Sequence, residues 1–294
     1  MSRPTKHASW WDLPYRNVLG GRDLLRAEQG TWLGVTREGR IAVLTNFREE
    51  GEVKPEARSR GALVKEFLTQ SEDTASDTES FVRYLVDNDL MRGIGGFSLV
   101  CGKIGQPLAV ISNRTPDVGS VKWILGGEKA TFGLSNALIT DRTWTKVTRA
   151  EWLLEETIRK DVTSRQPTAI FIESLFSILS EDTLPQGQHG QDWETQVKEL
   201  RKSIFIPALG GDAVVKGSAQ DIAAAEFVNK ESLKISQSEA PSSKPSERYG
   251  TQKQTIVLVT RDNQMTFIER TLFDAEGHSS PEANERKFEF QLGK

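Results

Sequence analysis

Cysteine and histidine are scarce in this sequence of 294 residues, which has one cysteine, Cys101, and three histidines at positions 7, 189 and 278. A single cysteine cannot form an intramolecular disulfide, and these scattered positions do not have the spacing of a zinc site. We therefore expect no metal site and, by default, a reducing cytoplasmic compartment. Cys101 lies in a β-branched run and is expected to be a small buried hydrophobic residue.

Long apolar runs and a large net charge are also missing. The longest apolar runs, such as 256–259 and 108–111, are much shorter than the roughly 18 residues that a membrane-spanning helix needs. Lysine plus arginine number 38 and aspartate plus glutamate 41, so the formal net charge is only −3. Such a mixed surface lacks the basic patch of a nucleic-acid-binding protein. The sequence therefore predicts no transmembrane segment and no nucleic-acid partner.

Apolar residues are sufficient for a sizeable core. Hydrophobic residues make up 37% of the chain and include seven tryptophans and thirteen phenylalanines, which argues against global disorder. No internal repeat or change of composition marks a boundary, so we expect one domain over residues 1–294. Three low-complexity segments are expected to be mobile surface loops: 71–80, 184–190 and 236–247.

Short turn-like connections join pairs of β-rich runs, and each pair predicts an antiparallel hairpin. The predicted pairs are 31–36 with 40–47, 97–102 with 107–112, 121–125 with 130–134, and 255–260 with 265–270. Hairpins cannot build a parallel sheet, because parallel neighbours need crossovers of about a dozen residues or more. Doubly wound and barrel α/β folds are therefore disfavoured.

Apolar residues at helical spacing predict helices between the hairpins. Ser76 and Thr148 each precede a glutamate at the spacing of a capping box, and each predicts a helix start. Further helices are predicted at 60–69, 168–179 and 192–202. Antiparallel strands and amphipathic helices together predict an α+β fold, in which helices cover sheets.

A series of short motifs, mostly at predicted strand ends, is similar in its order to a known family. The motifs are Ser2-Arg3-Pro4-Thr5 with Trp10-Trp11, Gly30-Thr31-Trp32-Leu33-Gly34, Leu44-Thr45-Asn46-Phe47, Ser59-Arg60-Gly61, Ser112-Asn113-Arg114, Gly133-Leu134-Ser135-Asn136 and Tyr249-Gly250-Thr251. Over nearly the whole chain they resemble the transport and Golgi organisation protein 2 (NRDE) family. The resemblance implies an Ntn-hydrolase-like αββα sandwich, in which two mainly antiparallel sheets pack together between helical layers.

In an enzyme of that fold, the first residue is the nucleophile and its free α-amino group is the base. Family members open with a cysteine beside the initiator methionine, on a strand that leads to an Asn-Arg-Asp-Glu motif. Ser2-Arg3-Pro4 resembles the segment just after that motif, so the resemblance implies a sequence that is N-terminally truncated relative to the family. We expect an incomplete gene model or truncated isoform without a catalytic residue, which is therefore inactive as an Ntn hydrolase.

The predicted ligand pocket lies at the strand ends, where Ntn-type clefts open. The candidate residues are Asn46, Arg48, Arg60, Asn113, Arg114, Ser135, Asn136 and Tyr249. Amide donors can hold an oxyanion or a carboxylate, and guanidinium groups suit propionate, phosphate and carboxylate. Asn46 and Asn136 are expected on one concave face. Asparagine and serine at strand ends also cap turns without any ligand, so both interpretations stay open.

Three functions stay open on the resemblance. The first is a non-enzymatic intracellular handling protein linked to Golgi organisation and protein secretion, to haem trafficking, or to acyl-coenzyme A and lipid metabolism. The second is an Ntn-type amidohydrolase whose cysteine nucleophile is absent here, and the third is a secretory-pathway interaction protein with a vestigial pocket. No resident cofactor is expected, because there is no Cys-x-x-Cys-His attachment motif, and any haem contact would be transient. The localisation implied is cytoplasmic, with Golgi or mitochondrial association.

Overall fold

A computed structural model describes residues 4–47, 58–70, 77–125, 129–185, 198–208, 249–273 and 279–293. The strands in these ranges are β1 (Thr5–Trp10), β2 (Val18–Asp23), β3 (Leu33–Thr36), β4 (Arg40–Asn46), β5 (Phe97–Lys103), β6 (Leu108–Ser112), β7 (Lys122–Ile124), β8 (Lys253–Val259), β9 (Gln264–Phe273) and β10 (Ser279–Gln291). The α-helices are α1 (Arg60–Leu68), α2 (Thr78–Asp87), α3 (Thr145–Ser164) and α4 (Thr168–Leu179).

The strands form two sheets. A seven-stranded sheet has the order β1-β2-β3-β4-β5-β6-β7, with antiparallel pairing throughout. A three-stranded sheet has the order β10-β9-β8, and a tight turn at Thr260–Asn263 connects β8 to β9. The prediction of an α+β fold with two antiparallel sheets is confirmed. No helix among the described residues is both long and apolar enough to cross a bilayer.

The chain divides into two compact units. The sheet unit comprises Arg3–Asp141, Val257–Phe267 and Arg286–Lys294, and contains the whole seven-stranded sheet. The helical unit comprises residues 1–2, 142–256 and 268–285, and contains α3 and α4. The strands of the smaller sheet contribute residues to both units.

In the sheet unit, helices α1 and α2 cover one face of the seven-stranded sheet. Phe67 and Phe81 bring the two helices together, with ring centroids 5.0 Å apart. They share a buried cluster with Leu44, Leu99 and Ile111 of the central strands. Side chains alternate along a strand, so these residues point towards the helices while their neighbours in the sequence point towards the opposite face.

The opposite face of the seven-stranded sheet packs on strands of the smaller sheet. Leu19 and Val35 share a second buried cluster with Met265, Phe267 and Phe290. The seven-stranded sheet is thus covered on both faces within this unit. Strand β9 contributes apolar residues at alternate positions to this cluster. Near the C-terminus, Phe288, Phe290 and Leu292 alternate in the same way and contribute to it too.

In the helical unit, α4 packs on strands β8 and β9. The Gln254 side chain donates a hydrogen bond to the Leu179 carbonyl oxygen, 2.9 Å away. The Arg270 guanidinium carbon lies 3.6 Å from the Phe176 ring centroid, and its nitrogens pair with Glu173 of α4 and Glu285 of β10. One arginine therefore joins a helix to two strands.

Three details of the predicted elements are wrong. Residues 130–134 do not form a strand, because the following loop is fixed by side-chain hydrogen bonds to neighbouring strand ends rather than by strand pairing. Helix α3 begins at Thr145, so Thr148 lies inside its first turn and donates to the Thr145 carbonyl oxygen. The start of α2 is one residue later than predicted, since the Asp77 carboxylate accepts from the Ser80 amide.

Several predictions fall partly outside the described residues. For the expected mobile loops these parts are residues 71–76, 186–190 and 236–247, and for the helix predicted at 192–202 the part is 192–197. The single-domain assignment stays a prediction.

The close approach of Gly30 to α1 generates the first testable prediction. A Cβ on Gly30 would lie 2.5 Å from the Gly61 carbonyl oxygen and 2.8 Å from the Ala62 nitrogen, and backbone atoms of a packed helix cannot move aside cheaply. Gly30→Ala is expected to lower the free energy of unfolding by about 3 kcal/mol, measured by urea denaturation.

Gly293→Ala is the matched control. The nearest atom to a Cβ there is the Arg37 carbonyl oxygen at 3.6 Å, an ordinary contact. Its effect should stay within about 0.5 kcal/mol. Equal stability of the two alanine variants would contradict the assigned packing of α1.

Candidate functional site

Three strand ends meet at one end of the seven-stranded sheet. The antiparallel register places Asn46, the last residue of β4, opposite Phe97, the first residue of β5. The same register places Thr45 opposite Ser98 and Ser98 opposite Ser112. We call the polar residues gathered at this end of the sheet the strand-end cluster: Thr45, Asn46, Ser98, Ser112, Asn113 and Asn136.

Side-chain hydrogen bonds attach a loop to these strand ends. The Asn136 Nδ2 donates to the main-chain oxygen of Asn46, with a distance of 2.7 Å. The Ser98 hydroxyl donates to the Ala137 carbonyl oxygen, 3.1 Å away, and the Phe97 amide donates to Asn113 Oδ1 at 3.3 Å. Three of the motifs noticed in the sequence therefore meet at one place in the fold.

Two predicted arginines lie beside the same strand ends. Arg60, the first residue of α1, donates from Nη1 to the Gly96 carbonyl oxygen at 3.1 Å, and that oxygen also accepts from the Phe47 amide at 2.9 Å. The Arg114 guanidinium carbon lies 5.4 Å from the Phe47 ring centroid, a cation–π geometry. Gly96 and Phe47 thus fix both cationic side chains near the end of β4.

The cluster is divided between the two faces of the sheet. Asn46 is opposite Phe97, which belongs to the core beneath α1 and α2, so Asn46 lies on the helix-covered face. Thr45, Ser98 and Ser112 lie on the other face, because neighbouring positions of a strand point to opposite sides. A ligand that lies across the strand end can reach both faces, since Thr45 and Asn46 are consecutive residues.

Two oxygen atoms in the cluster are buried without a hydrogen-bond partner among the described residues. They are Thr45 Oγ1 and Asn46 Oδ1. A buried polar atom left unsatisfied costs about 1–3 kcal/mol, and native structures rarely tolerate one without a reason. Two such atoms on consecutive residues make the end of β4 the place where a ligand would satisfy the most hydrogen-bonding capacity.

The remaining predicted site residues are placed less centrally. Ser135 donates its hydroxyl to Asn136 Oδ1 at 3.4 Å, and Asn136 itself is exposed. Tyr249 is half-buried and belongs to the helical unit. Arg48 lies outside the described residues. The Asn136 side chain binds the main-chain oxygen of Asn46 and not the side-chain amide of Asn46.

The hydroxyl row of Thr45, Ser98 and Ser112 was not among the predicted site residues. Ser98 and Ser112 are buried, and Thr45 is half-buried. Ser112 Oγ accepts from the Arg114 amide at 3.1 Å, while Ser98 binds Ala137. The sequence does contain a signal for these residues. Each lies near the end of a predicted strand, and the other residues at alternate positions of that strand are apolar.

Cys101 lies in the middle of β5 and is fully buried, as predicted. Desolvation raises the pKa of its thiol to about 12. The thiolate, which is the nucleophilic form, is therefore scarce at neutral pH.

The fold and the cluster define an α+β protein with two antiparallel sheets and a polar site at the strand ends of the larger one. The chain belongs to the transport and Golgi organisation 2 family, whose model matches residues 1–274. The resemblance inferred from the motifs is confirmed.

Named relatives agree with this membership. The chain is 27% identical over 282 residues to the transport and Golgi organization protein 2 homolog of Homo sapiens, covering 93% of this chain and 83% of that protein. It is 26% identical over 299 residues to the mouse homolog, covering 99% and 89%. A Saccharomyces cerevisiae protein described as uncharacterised is 24% identical over 319 residues, covering 99% and 92%.

The unsatisfied Thr45 hydroxyl generates a second prediction. Thr45→Val keeps the shape of the side chain and removes the buried hydroxyl, so the free energy of unfolding should rise by about 1 kcal/mol without ligand. Ser98→Ala removes a hydroxyl that has a partner in Ala137, so it should lower the same quantity by about 1 kcal/mol. Chemical denaturation of both variants measures the difference, and equal destabilisation by the two would refute the assignment of Thr45.

Proposed function

We propose that this chain is a non-enzymatic handling protein that binds a small hydrophobic ligand with an acidic end, such as haem or an acyl-coenzyme A, at the strand-end cluster. The observation that carries the proposal is the pair of buried, unpartnered atoms, Thr45 Oγ1 and Asn46 Oδ1. The threonine hydroxyl can donate to a ligand oxygen. The asparagine side chain can offer its oxygen or, after a half-turn of the amide, its two N–H donors.

Charge at the strand ends supports an acidic ligand. Arg60 and Arg114 carry guanidinium groups next to the end of β4, fixed there by Gly96 and Phe47. A guanidinium group presents N–H donors in a planar fork that matches the two oxygens of a carboxylate or phosphate. The buried Phe47 ring supplies an apolar neighbour for the hydrophobic part of the ligand.

The cellular role is proposed from the family. Its printed name, and the names of the human and mouse relatives, refer to transport and Golgi organisation. We propose that this chain takes part in Golgi organisation and protein secretion, and that it works in the cytoplasm with Golgi or mitochondrial association.

The Ntn-hydrolase-like sandwich is likewise a proposal, supported by the layers within each unit. In the sheet unit, α1 and α2 cover one face of the larger sheet and residues of β9 and β10 cover the other. In the helical unit, α4 packs on β8 and β9. Helix-on-sheet and sheet-on-sheet packing of this kind, taken within each unit by itself, supports the proposal.

Amidohydrolase activity is the less favoured alternative. An Ntn-type cysteine nucleophile must be reachable by substrate and close to a free α-amino group. Cys101 is the one cysteine of the sequence, it is fully buried inside β5, and desolvation raises its pKa to about 12. This side chain does not meet the requirement.

Titration of the purified full chain with haemin and with palmitoyl-coenzyme A tests the proposed function. We expect saturable binding of at least one of them, with palmitoyl-coenzyme A recovered intact. Asn46→Leu and Arg114→Met should each weaken binding about tenfold, because each removes a hydrogen bond or a charge worth about 1.5 kcal/mol.

The matched control is Arg83→Met on α2, whose guanidinium group pairs with Glu79 at the surface. It should bind like the unsubstituted chain. No binding of either ligand, or equal affinity in all variants, would overturn the site, and hydrolysis of the thioester would favour the enzymatic alternative.

A further inference from the structure

Two cations share one tryptophan ring at the start of α3, in the helical unit. Lys146 Nζ lies 5.2 Å from the Trp144 ring centroid, and the Arg201 guanidinium carbon lies 5.1 Å from the same centroid. The Lys146 amide also donates to the Arg201 carbonyl oxygen at 3.2 Å, which fixes the two segments side by side. We call Trp144, Lys146 and Arg201 the two-cation cluster.

Four carboxylates of the surrounding segments have other partners. The ion pairs are Glu151 with Arg142, Glu181 with Arg149, and Glu199 with Lys202. Another carboxylate of these segments, that of Asp182, accepts from the Leu184 amide and from the Ser203 hydroxyl. Within the described part of the chain, neither Lys146 nor Arg201 forms an ion pair with a carboxylate.

The arrangement is electrostatically unfavourable as it stands. Burial lowers the pKa of Lys146 to about 8, because its ammonium form is poorly solvated. Both cations lie near the N-terminal end of a helix, which itself carries partial positive charge and favours anions. A dianion would offset both the burial of Lys146 and the partial positive charge at the helix end.

We propose that Trp144, Lys146 and Arg201 form a binding site for a phosphate-type anion, either a phosphomonoester or a diphosphate. The planar fork of Arg201 suits two oxygens of one phosphate, and the Lys146 ammonium is a point charge for a third. Two cations match a dianion better than a single carboxylate, which carries one charge. The site belongs to the helical unit and does not depend on the proposed function.

Isothermal titration of the full chain with inorganic pyrophosphate, at constant ionic strength, tests the site. Lys146→Met and Arg201→Met should each weaken binding at least tenfold, because each removes a charge-assisted hydrogen bond. Lys202→Met is the matched control, since Lys202 neighbours Arg201 but pairs with Glu199. It should bind pyrophosphate like the unsubstituted chain.

Thermal unfolding gives a second readout that does not depend on a binding signal. Without anion, Lys146→Met should raise Tm, because it replaces an unpaired, desolvated cation by an apolar side chain of similar length. Pyrophosphate should raise the Tm of the unsubstituted chain by more than it raises that of Lys146→Met at the same concentration. A lower Tm in Lys146→Met, together with equal pyrophosphate affinity, would show a purely structural cation–π contact and overturn the site.

Adenosine diphosphate in the same titration identifies the source of the anion. Tighter binding than pyrophosphate would assign the site to nucleotides, and equal binding would assign it to the phosphates alone. Failure of both probes to bind would overturn the proposal, and it would leave the strand-end cluster untouched.

Discussion

The pairing register of the central strands is the constraint on which the rest of the sheet unit depends. Seven consecutive residue pairs join β4 to β5, from Arg40 opposite Lys103 to Asn46 opposite Phe97. A shift by one residue would move every apolar side chain to the wrong face, so the two cores on opposite faces hold the register in place. The same register brings the last residues of β4 and β6 level with the first residues of β5. The polar cluster is therefore a consequence of the hydrophobic pattern of the strands.

A close approach between two backbone segments determines where α1 begins. Gly30 and Gly61 touch through their main chains, so α1 begins directly against the segment before β3, and Thr31 donates to the Gly61 carbonyl oxygen. Arg60 follows from that position, because it is the first residue of α1 and reaches the carbonyl oxygen of Gly96. Glycines in separate motifs thus serve one purpose, which is to let a helix start where its arginine lies beside the strand ends.

The sequence was informative where periodicity was strong. The prediction of α4 over 168–179 is confirmed at both ends, and that of α1 ends one residue late. Strands β1, β2 and β10 were missed, because β2 contains two adjacent glycines and β10 carries alternating charges, which local patterns do not distinguish from loops. The membership of Asn46, Asn113 and Asn136 in one cluster needed the family resemblance, since they are far apart in sequence. The hydroxyl row and the two-cation cluster depend on register and packing, which a single sequence does not reveal.

Our central proposal is that the end of β4 binds ligand through Asn46. Its most direct test is the side-chain amide signal of Asn46 in a nitrogen-15 spectrum, followed during titration with palmitoyl-coenzyme A and assigned with Asn46→Asp. Asn88, whose amide donates to the Tyr84 carbonyl oxygen at the end of α2, is the internal reference. We expect the Asn46 signal to move and to saturate with the ligand while the Asn88 signal stays in place. Ligand binding that leaves the Asn46 signal unmoved would contradict it.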